Sequence, residues 1–326
     1  MIRLAIVAVA VFAASCLGTR VLIAALRQRA VLDLPNERSS HLAPTPRGGG
    51  IALIAASLAA WLCLVAAGAL PPSVLVVALA AAGLALISWF DDLRGLSPGI
   101  RLLAQFAAVV AGLWVLPQGA IFQGWLPRGL DTAAAALLWV WFVNLFNFMD
   151  GIDGIAGGEA AAIGIGVALV AGTGGVFELI APSVAVAAAA LGFLVWNWQP
   201  ARIFMGDVGS VPLGYLLGYL LLALAARGAW APAVILPLYF LADATLTLLR
   251  RLARGERVWQ AHREHFYQRA VQRGLRHDAV VRRVLATDSA LIASAWAAAK
   301  GWGFAALVVA MLTVLLLLVE LGRDRR

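Results

Sequence analysis

The stretch S-V-L-V-V-A-L-A-A-A-G-L-A-L-I-S-W-F-D-D, residues 73 to 92, combines the two features that decide how this chain folds. It is apolar up to Phe90 and then ends on two adjacent carboxylates, Asp91 and Asp92. About 20 apolar residues suffice for a helix to cross a bilayer, whereas a carboxylate near lipid is costly unless it has a partner. The stretch therefore predicts a membrane-spanning helix that carries two acids to the membrane surface.

The composition of the whole chain is that of a polytopic membrane protein. Of its 326 residues, 63% are hydrophobic and 13% are charged, and the mean hydropathy is +0.90. Soluble domains have about 45 to 50% apolar and about 25% charged residues. The formal charge of +8 and the pI near 10.6 do not indicate nucleic-acid binding, because the basic residues cluster between apolar spans. Cys16 and Cys63 lie in apolar runs and are interpreted as small buried hydrophobes.

Hydropathy predicts an all-α fold of about eleven membrane spans in a single domain covering residues 1 to 326. The expected helices are 2 to 26, 49 to 69, 73 to 90, 101 to 118, 132 to 148, 155 to 172, 179 to 196, 208 to 226, 230 to 249, 285 to 299 and 302 to 321. The first run also resembles a signal peptide ending at Cys16, but a chain with many further spans favours a first helix. The placement of Lys and Arg predicts an external N-terminus and a cytoplasmic C-terminus.

On this topology the acidic motifs share the cytoplasmic side. We expect an active site built from the loops near 27 to 48, 91 to 100, 149 to 155, 197 to 207 and 250 to 284. Adjacent carboxylates such as Asp91 and Asp92 repel each other unless a cation or a shared proton relieves them. A divalent cation with a phosphorylated substrate is the simplest partner, and a solvated helix end is the plain alternative.

Further candidate residues lie in the next two cytoplasmic motifs. N-F-M-D-G-I-D-G, residues 147 to 154, sets Asp150 and Asp153 among glycines that open into a helix, where backbone amides can hold an anion; a simple turn is the alternative. Asp207 in F-M-G-D-V-G-S presents its carboxylate in a tight turn for a metal, or only caps the next helix.

The first and last long loops add basic groups. Thr45, Arg47 and Gly48 to Gly50 lead into a helix and form a weak candidate for an anion cradle. In A-H-R-E-H-F-Y-Q-R, His262, Arg263 and His265 favour phosphate binding over a zinc site, because no cysteine or third histidine is near; a basic face that only fixes topology is the alternative. Asp243 lies inside an apolar span and is expected to pair with a nearby arginine.

Taken together, these motifs resemble the polyprenyl-phosphate N-acetylhexosamine-1-phosphate transferases, a family that includes the peptidoglycan translocase and the enzymes that start O-antigen and common-antigen glycans. The resemblance covers residues 33 to 50, 91 to 105, 144 to 158, 197 to 214 and 239 to 269. It implies a Mg²⁺-dependent enzyme, with Mn²⁺ as a substitute, that transfers a sugar 1-phosphate from a UDP-amino sugar to a polyprenyl phosphate and releases UMP. The chemistry needs charge neutralisation and alignment more than covalent catalysis.

The resemblance also assigns roles to single residues. It implies that Asp91 is the base or lipid-phosphate activator, Asp92 its acidic partner and Asp207 the Mg²⁺ ligand. Asp150 and Asp153 join the catalytic set. Phe204 resembles an aromatic residue that stacks on uracil, and the remaining substrate-binding residues are Arg101, Asn147, Asn197, His262, Arg263 and His265.

The resemblance finally implies a bacterial inner-membrane enzyme whose active site faces the cytoplasm and which starts an O-antigen or other envelope polysaccharide. It also allows a homodimer. H-R-E-H replaces the consecutive histidines of the peptidoglycan enzymes, so UDP-GlcNAc or a 6-deoxy relative is the better expected donor than a muramoyl-pentapeptide. A secondary transporter of an anionic solute is the competing function. The position of the acids at span ends, and the lack of two similar halves, count against it.

Overall fold

The computed structural model describes residues 2–33, 44–117, 119–257 and 262–323, and this part of the chain is predominantly α-helical. The helices are α1 Ile2–Gln28, α2 Gly50–Ala66, α3 Val74–Arg94, α4 Pro98–Trp114, α5 Arg128–Phe148, α6 Ile155–Gly174, α7 Ile180–Asn197, α8 Asp207–Ala226, α9 Trp230–Ile235, α10 Leu238–Ala253, α11 Phe266–Gln272, α12 His277–Ala297 and α13 Gly303–Gly322. A 3₁₀ turn, Phe177–Leu179, precedes α7, and a π turn, Ala298–Trp302, joins α12 to α13.

The prediction of an all-α polytopic membrane protein is confirmed. Within the described residues, seven helical stretches are long and apolar enough to span a bilayer, one of them being the whole of His277–Gly322. That stretch contains a kink at Gly301, which has a positive φ of 103°. Helices α2 and α4 are apolar but shorter, with 17 residues each. The count of eleven spans and the orientation of the termini stay predictions.

One expected span is not a continuous helix. We predicted a single helix over 230 to 249, whereas the chain leaves the helical path after α9 and resumes at Leu238 as α10. Pro237 lies in this break, and proline has no N–H to donate to the preceding turn. The break turns α10 into a separate element that starts close to the bundle core, where Tyr239 and Phe240 are fully buried.

Helix α8 is the central element of the bundle, and nearly all of its residues are buried. Its contact with α5 depends on a small residue at the crossing, since a Cβ added at Gly218 would lie 2.4 Å from the ring of Trp139. The Trp139 indole donates to the Tyr215 carbonyl at 3.0 Å and stacks on the Tyr215 ring at 4.8 Å. Without a hydrophobic force between helices in lipid, close packing of this kind is what holds spans together.

The outer helices leave apolar side chains exposed, as expected of a lipid-facing surface. Helices α1 and α13 each carry several exposed large hydrophobic residues. Cys63 belongs to this surface, so its predicted burial is wrong, and Cys16 is half-buried.

A short two-stranded sheet fixes the end of the first loop. Strands β1 Leu32–Asp33 and β2 Thr45–Pro46 pair in antiparallel register, and Arg47 continues into a bridge with Phe204. This bridge ties the first loop to the segment between α7 and α8. The first loop also contains the stretch D-L-P-N-E-R-S-S-H, residues 33 to 41, which lies outside the described residues after Asp33.

Candidate active site

The N-terminus of α8 is capped by a side chain from another helix. Asp92, in the last turn of α3, accepts hydrogen bonds from the backbone N–H groups of Asp207 (3.2 Å) and Val208 (3.0 Å). Its side chain is only 3% exposed. A carboxylate here satisfies two unpaired amides and lies at the positive end of the helix dipole. Asp92 therefore fixes the start of α8 and the position of Asp207.

A glycine makes this close approach possible. Gly206, the N-cap residue of α8, has a φ of 75°, and a Cβ added to it would lie 2.9 Å from Oδ2 of Asp92. Any other side chain would be strained in this backbone conformation and would push against the carboxylate. Glycine is therefore required at position 206 for the end of α3 to pack against the start of α8.

Arg47 joins two of the predicted site aspartates. Its Nη2 lies 2.7 Å from Oδ1 of Asp92 and 3.0 Å from Oδ1 of Asp207. Asp207 remains 21% exposed, so one face of its carboxylate is open. We call Asp92, Asp150, Asp207 and Arg47 the carboxylate cluster.

Asp150 is electrostatically part of this cluster. It follows α5 directly, and its side chain has no hydrogen-bond or ion-pair partner among the described residues. It keeps some accessible surface but lies deep among protein atoms. Burial, together with the charge of Asp207, raises the pKa of the Asp150 carboxyl well above its ordinary value.

Asp153 makes its hydrogen bonds outside the cluster. Its Oδ1 lies 3.2 Å from Nδ1 of His277 at the start of α12, and its Oδ2 accepts from the N–H of Ala201 at 3.0 Å. These contacts connect the D-G-I-D-G loop to the segment after α7 and to α12. The structure therefore places Asp153 in a position that holds loops together, whereas Asp150 lies beside the other acids.

Asp91 lies about 100° around α3 from Asp92 and opens into a pocket. Its Oδ1 accepts from the N–H of Leu96 (2.6 Å), and its Oδ2 pairs with Nη1 of Arg101 (3.1 Å). The pocket has a volume of about 210 Å³ and lies between α3, α4, α5 and α8. Its polar lining consists of Ser88, Asp91, Arg101, Gln105, Asn144, Asn147 and Asp207, and its apolar lining includes Leu84, Ile87, Leu102, Phe148 and Val211.

Two asparagines of α5 form the inner wall of this pocket. Asn147 donates to Oγ of Ser210 at 2.8 Å, and Asn144 donates to Oε1 of Gln105 at 2.6 Å. Both bonds use the amide nitrogen as donor. The predicted substrate-binding residues Asn147 and Arg101 therefore reach the same pocket as Asp91 and Asp207.

Asn197 has a different position from the one expected of a substrate-binding residue. It is buried, it accepts from the N–H of Gly154 at 2.9 Å, and it donates to the carbonyl of Ile203 at 2.9 Å. Both ends of its amide are thus used by backbone. Asn197 holds the D-G-I-D-G loop against the segment that carries Phe204, which is itself half-buried.

The expected anion cradle at Gly48 to Gly50 is wrong. The N–H groups of Gly48 and Gly49 donate to the carbonyl of Phe204, and that of Gly50 donates to the carbonyl of Met205. Amides that are already paired cannot receive a phosphate. These bonds instead lock the first loop to the F-M-G-D turn, which brings Arg47 to the cluster.

The last loop carries its histidines to the same end of the bundle through α11. Asp243 on α10 accepts from the N–H groups of Phe266 (3.0 Å) and Tyr267 (3.3 Å) and lies 3.2 Å from Nδ1 of His265. The expectation that Asp243 pairs with an arginine is therefore wrong. Asp243 is fully buried, and it also accepts from the hydroxyls of Tyr239 and Thr247.

Tyr267 joins α11 to the acidic loop. Its hydroxyl donates to the carbonyl of Phe148 at 3.0 Å, and a Cβ added at Gly151 would lie 2.2 Å from that hydroxyl oxygen. Glycine is thus needed at position 151 for α11 to dock on the loop that contains Asp150.

The two predicted histidines are not equivalent. His265 is buried and held by Asp243, whereas His262 is half-buried, with its ring 4.9 Å from the His265 ring. Burial and the neighbouring His265 and Arg251 lower the pKa of His262 to about 4. His262 is therefore a neutral imidazole at pH 7. Arg263, between them, is half-buried and uses its carbonyl to accept from Gln272.

The carboxylate cluster can contribute ligands to a divalent cation without enclosing it. Among the described residues, no three Asp, Glu, His or Cys side chains enclose a metal position by themselves. Mg²⁺ does not require such a cage, because it is commonly bound by one or two carboxylates, with water and substrate phosphates completing its shell. The three carboxylates of the cluster share a single guanidinium, and the raised pKa of the Asp150 carboxyl indicates that Arg47 does not offset the repulsion among them. Asp150 and the open face of Asp207 fit one divalent cation on this ground.

The sequence analysis did not predict several residues that line or support the site. Asn144, Gln105 and Ser210 line or support the pocket, and Tyr267 docks α11. The signal available for Asn144 was its spacing of three from Asn147, which places both on one face of α5. No local signal pointed to Gln105, which is buried on α4.

Comparison with known proteins identifies similar sequences. The family model described as Glycosyl transferase family 4 matches residues 74–225, the region from α3 to α8 that contains Asp91, Asp150 and Asp207. A probable undecaprenyl-phosphate N-acetylglucosaminyl 1-phosphate transferase of Bacillus subtilis is 28% identical over 263 residues, which cover 76% of this chain and 71% of that protein.

Two further similar proteins are also named as transferases. A decaprenyl-phosphate N-acetylglucosaminephosphotransferase of Mycobacterium tuberculosis is 31% identical over 292 residues, covering 76% of this chain and 70% of the relative. A phospho-N-acetylmuramoyl-pentapeptide-transferase of Synechococcus elongatus is 35% identical over 240 residues, covering 64% of this chain and 62% of the relative.

Proposed function

Because this chain belongs to glycosyl transferase family 4, we propose that it transfers an N-acetylhexosamine 1-phosphate from a UDP-sugar to a polyprenyl phosphate within the membrane. The products are a polyprenyl diphosphate sugar and UMP. The observation that carries the proposal is the pocket at Asp91, which is polar beside the carboxylate cluster and apolar along α3 and α4. A pocket with these two halves suits an acceptor that has a phosphate head and a hydrocarbon tail.

The acceptor phosphate fits beside Arg101. The guanidinium is 42% exposed and is tied to Asp91 through one nitrogen, so other N–H groups are available to an incoming phosphate. Leu84, Ile87 and Leu102 line the same pocket and supply apolar contacts for the first isoprene units. Asp91 holds Arg101 in this position and, next to the phosphate, accepts a proton from it if the monoester arrives protonated.

The donor fits on the other side of Asp207. In the reaction, an oxygen of the lipid phosphate forms a bond to the β-phosphorus of the UDP-sugar, and the bond from that phosphorus to the bridging oxygen breaks, so that UMP leaves. Phosphoryl transfer of this kind depends on alignment and on neutralising negative charge. We assign the donor diphosphate to His262, Arg263 and His265, which adjoin α11 where Tyr267 docks it on the D-G-I-D-G loop, and the uracil base to Phe204.

Asp207 and Asp150 would hold Mg²⁺, which supplies charge neutralisation to the diphosphate when it is bound. Other residues of the chain position the two carboxylates. Asp92 fixes Asp207 by capping α8, and Arg47 limits the repulsion between their carboxylates. Mn²⁺, with similar preferences for oxygen ligands, is the expected substitute.

The cellular role follows from the same proposal. The site lies at the end of the bundle that carries most of the arginines, which the positive-inside rule assigns to the cytoplasm, where nucleotide sugars are made. We assign the protein to a bacterial inner membrane, as the enzyme that starts a cell-envelope polysaccharide such as an O-antigen. UDP-GlcNAc or a 6-deoxy N-acetylhexosamine is the proposed donor.

Release of UMP by purified protein tests the proposal. The protein is incubated with polyprenyl phosphate, Mg²⁺ and each member of a panel of UDP-acetamido sugars, and the lipid product is identified by mass spectrometry. We expect UMP only when the lipid phosphate and Mg²⁺ are both present, and no product from Asp207→Asn. Uptake of a UDP-sugar into proteoliposomes without UMP release would instead support a transporter and would contradict the proposal.

A further inference from the structure

A second pocket lies at the same end of the bundle, between α10, α11 and α13. It has a volume of about 370 Å³ and shares no lining residue with the pocket at Asp91. Three arginines line it: Arg250 from α10, Arg269 from α11 and Arg323, which directly follows α13. We call this the basic pocket.

The arginines of the basic pocket lack acidic partners within the described residues. Other arginines nearby are neutralised by carboxylates: Arg251 by Glu256, Arg254 by Glu264 and Arg283 by Glu320. Arg250 instead lies over the ring of Phe266, with its guanidinium carbon 4.6 Å from the ring centre. Three like charges around one pocket repel each other, and an anion between them relieves that repulsion.

The other half of the basic pocket is apolar and open to lipid. Leu246, Leu315 and Val319 line it and are 40%, 55% and 41% exposed, respectively. Side chains exposed on spans of this kind face acyl chains. An anion site that continues into a lipid-facing groove fits a molecule with both a phosphate and hydrocarbon chains, and basic pockets between membrane helices on the cytoplasmic side bind anionic lipid head groups.

We propose that the basic pocket binds the phosphate head group of an anionic membrane phospholipid, whose acyl chains run along α10 and α13. The bound head group joins α11 to α10 and to the end of α13. Arg273, which directly follows α11, already donates to the carbonyls of Leu321 and Gly322, and this ties α11 to the end of α13. Because His265 begins α11, the lipid also braces the segment that presents the histidines.

Lipid binding to the purified full-length protein tests the proposal. Native mass spectrometry of the protein in detergent gives the apparent Kd for dioleoylphosphatidylglycerol and, separately, for dioleoylphosphatidylcholine. We expect phosphatidylglycerol to bind at least about tenfold more tightly. In the double variant Arg250→Gln, Arg269→Gln its Kd rises about 25-fold, from about fivefold for each arginine at an anionic surface.

Two controls separate this site from general attraction to the protein. Arg29 is exposed just after α1 at the same end of the bundle, outside the basic pocket, and Arg29→Gln should change the Kd by less than twofold. Inorganic phosphate at the same concentration should not displace the lipid. Equal binding of the two lipids by the wild-type protein, a double variant within twofold of wild type, or displacement by inorganic phosphate would each overturn the proposal.

Discussion

Asp91→Asn and Asp92→Asn are adjacent substitutions that should have different effects on stability. Asp92 accepts two backbone N–H groups of α8 and pairs with Arg47, almost entirely out of solvent. Asparagine retains one acceptor oxygen but turns an NH₂ donor toward a backbone N–H. The unpaired amide costs about 1–3 kcal/mol, and the lost charge at the helix N-terminus adds about 0.3–2 kcal/mol. We expect Asp92→Asn to lower the free energy of unfolding by about 1.3–5 kcal/mol, the sum of the two contributions.

Asp91 provides the matched comparison. Its pair with Arg101 is partly exposed, and such pairs contribute about 0.2–1 kcal/mol. The asparagine oxygen can still accept from Leu96, so Asp91→Asn should cost no more than about 1 kcal/mol. Both variants should lose turnover.

Equilibrium unfolding of the two variants in mixed detergent micelles, with increasing denaturing detergent, measures this difference. The wild-type protein and Arg101→Gln, which removes the partner of Asp91 but leaves the α8 cap intact, serve as references. Equal destabilisation by Asp91→Asn and Asp92→Asn would refute the cap assigned to Asp92.

Three further predictions concern the site. Asp207→Asn should reduce kcat by at least about 100-fold while the thermal midpoint stays close to wild type; a rate near wild type would remove Asp207 from catalysis. Asp243→Asn should raise the KM for the nucleotide sugar by about tenfold, because His265 loses the carboxylate that orients it, and an unchanged KM in steady-state kinetics would contradict that positioning role. His262 has a folded pKa of about 4 against 6.5 for the free side chain, so the unfolded chain binds the extra proton and stability falls as pH drops from 6.5 toward 4. His262→Gln should flatten that slope in thermal unfolding measured across this range, and an identical slope would contradict the low pKa.

The helices were largely predictable from the sequence because lipid leaves the backbone few alternatives to helix. The start of α8 at Asp207 was located within one residue, whereas α3 continues past the expected end at Phe90, through the D-D pair, to Arg94. The break between α9 and α10 was not predicted, because residues 230 to 249 are apolar enough for one span and Pro237 was not taken as a helix end. Proline within an apolar stretch was a readable warning.

The pairings that build the site were not predictable, because they join residues far apart in the chain. Asp92 and the amide of Asp207 are 115 positions apart, and no local pattern indicates that one caps the other. Asp243 was expected to pair with an arginine, since Arg250 and Arg251 follow on the same helix. The chain instead folds back through α11 and brings His265 to it.

The grouping of acids illustrates the same limit. Five aspartates at span ends indicated a common site, yet spacing alone does not tell which of them share it. The structure brings Asp92, Asp150 and Asp207 together with Arg47, turns Asp91 into the adjoining pocket, and directs Asp153 to His277.

Binding of Mn²⁺ to the purified protein, followed by electron paramagnetic resonance, tests the central claim most directly. The claim is that Asp207 and Asp150 bind one divalent cation beside the substrate pocket, whereas Asp153 does not. In the presence of a UDP-acetamido sugar, we predict one bound Mn²⁺ in the wild-type protein and in Asp153→Asn, and loss of that ion in Asp207→Asn and Asp150→Asn. Retention of the ion in Asp207→Asn, or its loss in a folded Asp153→Asn variant, would contradict the account.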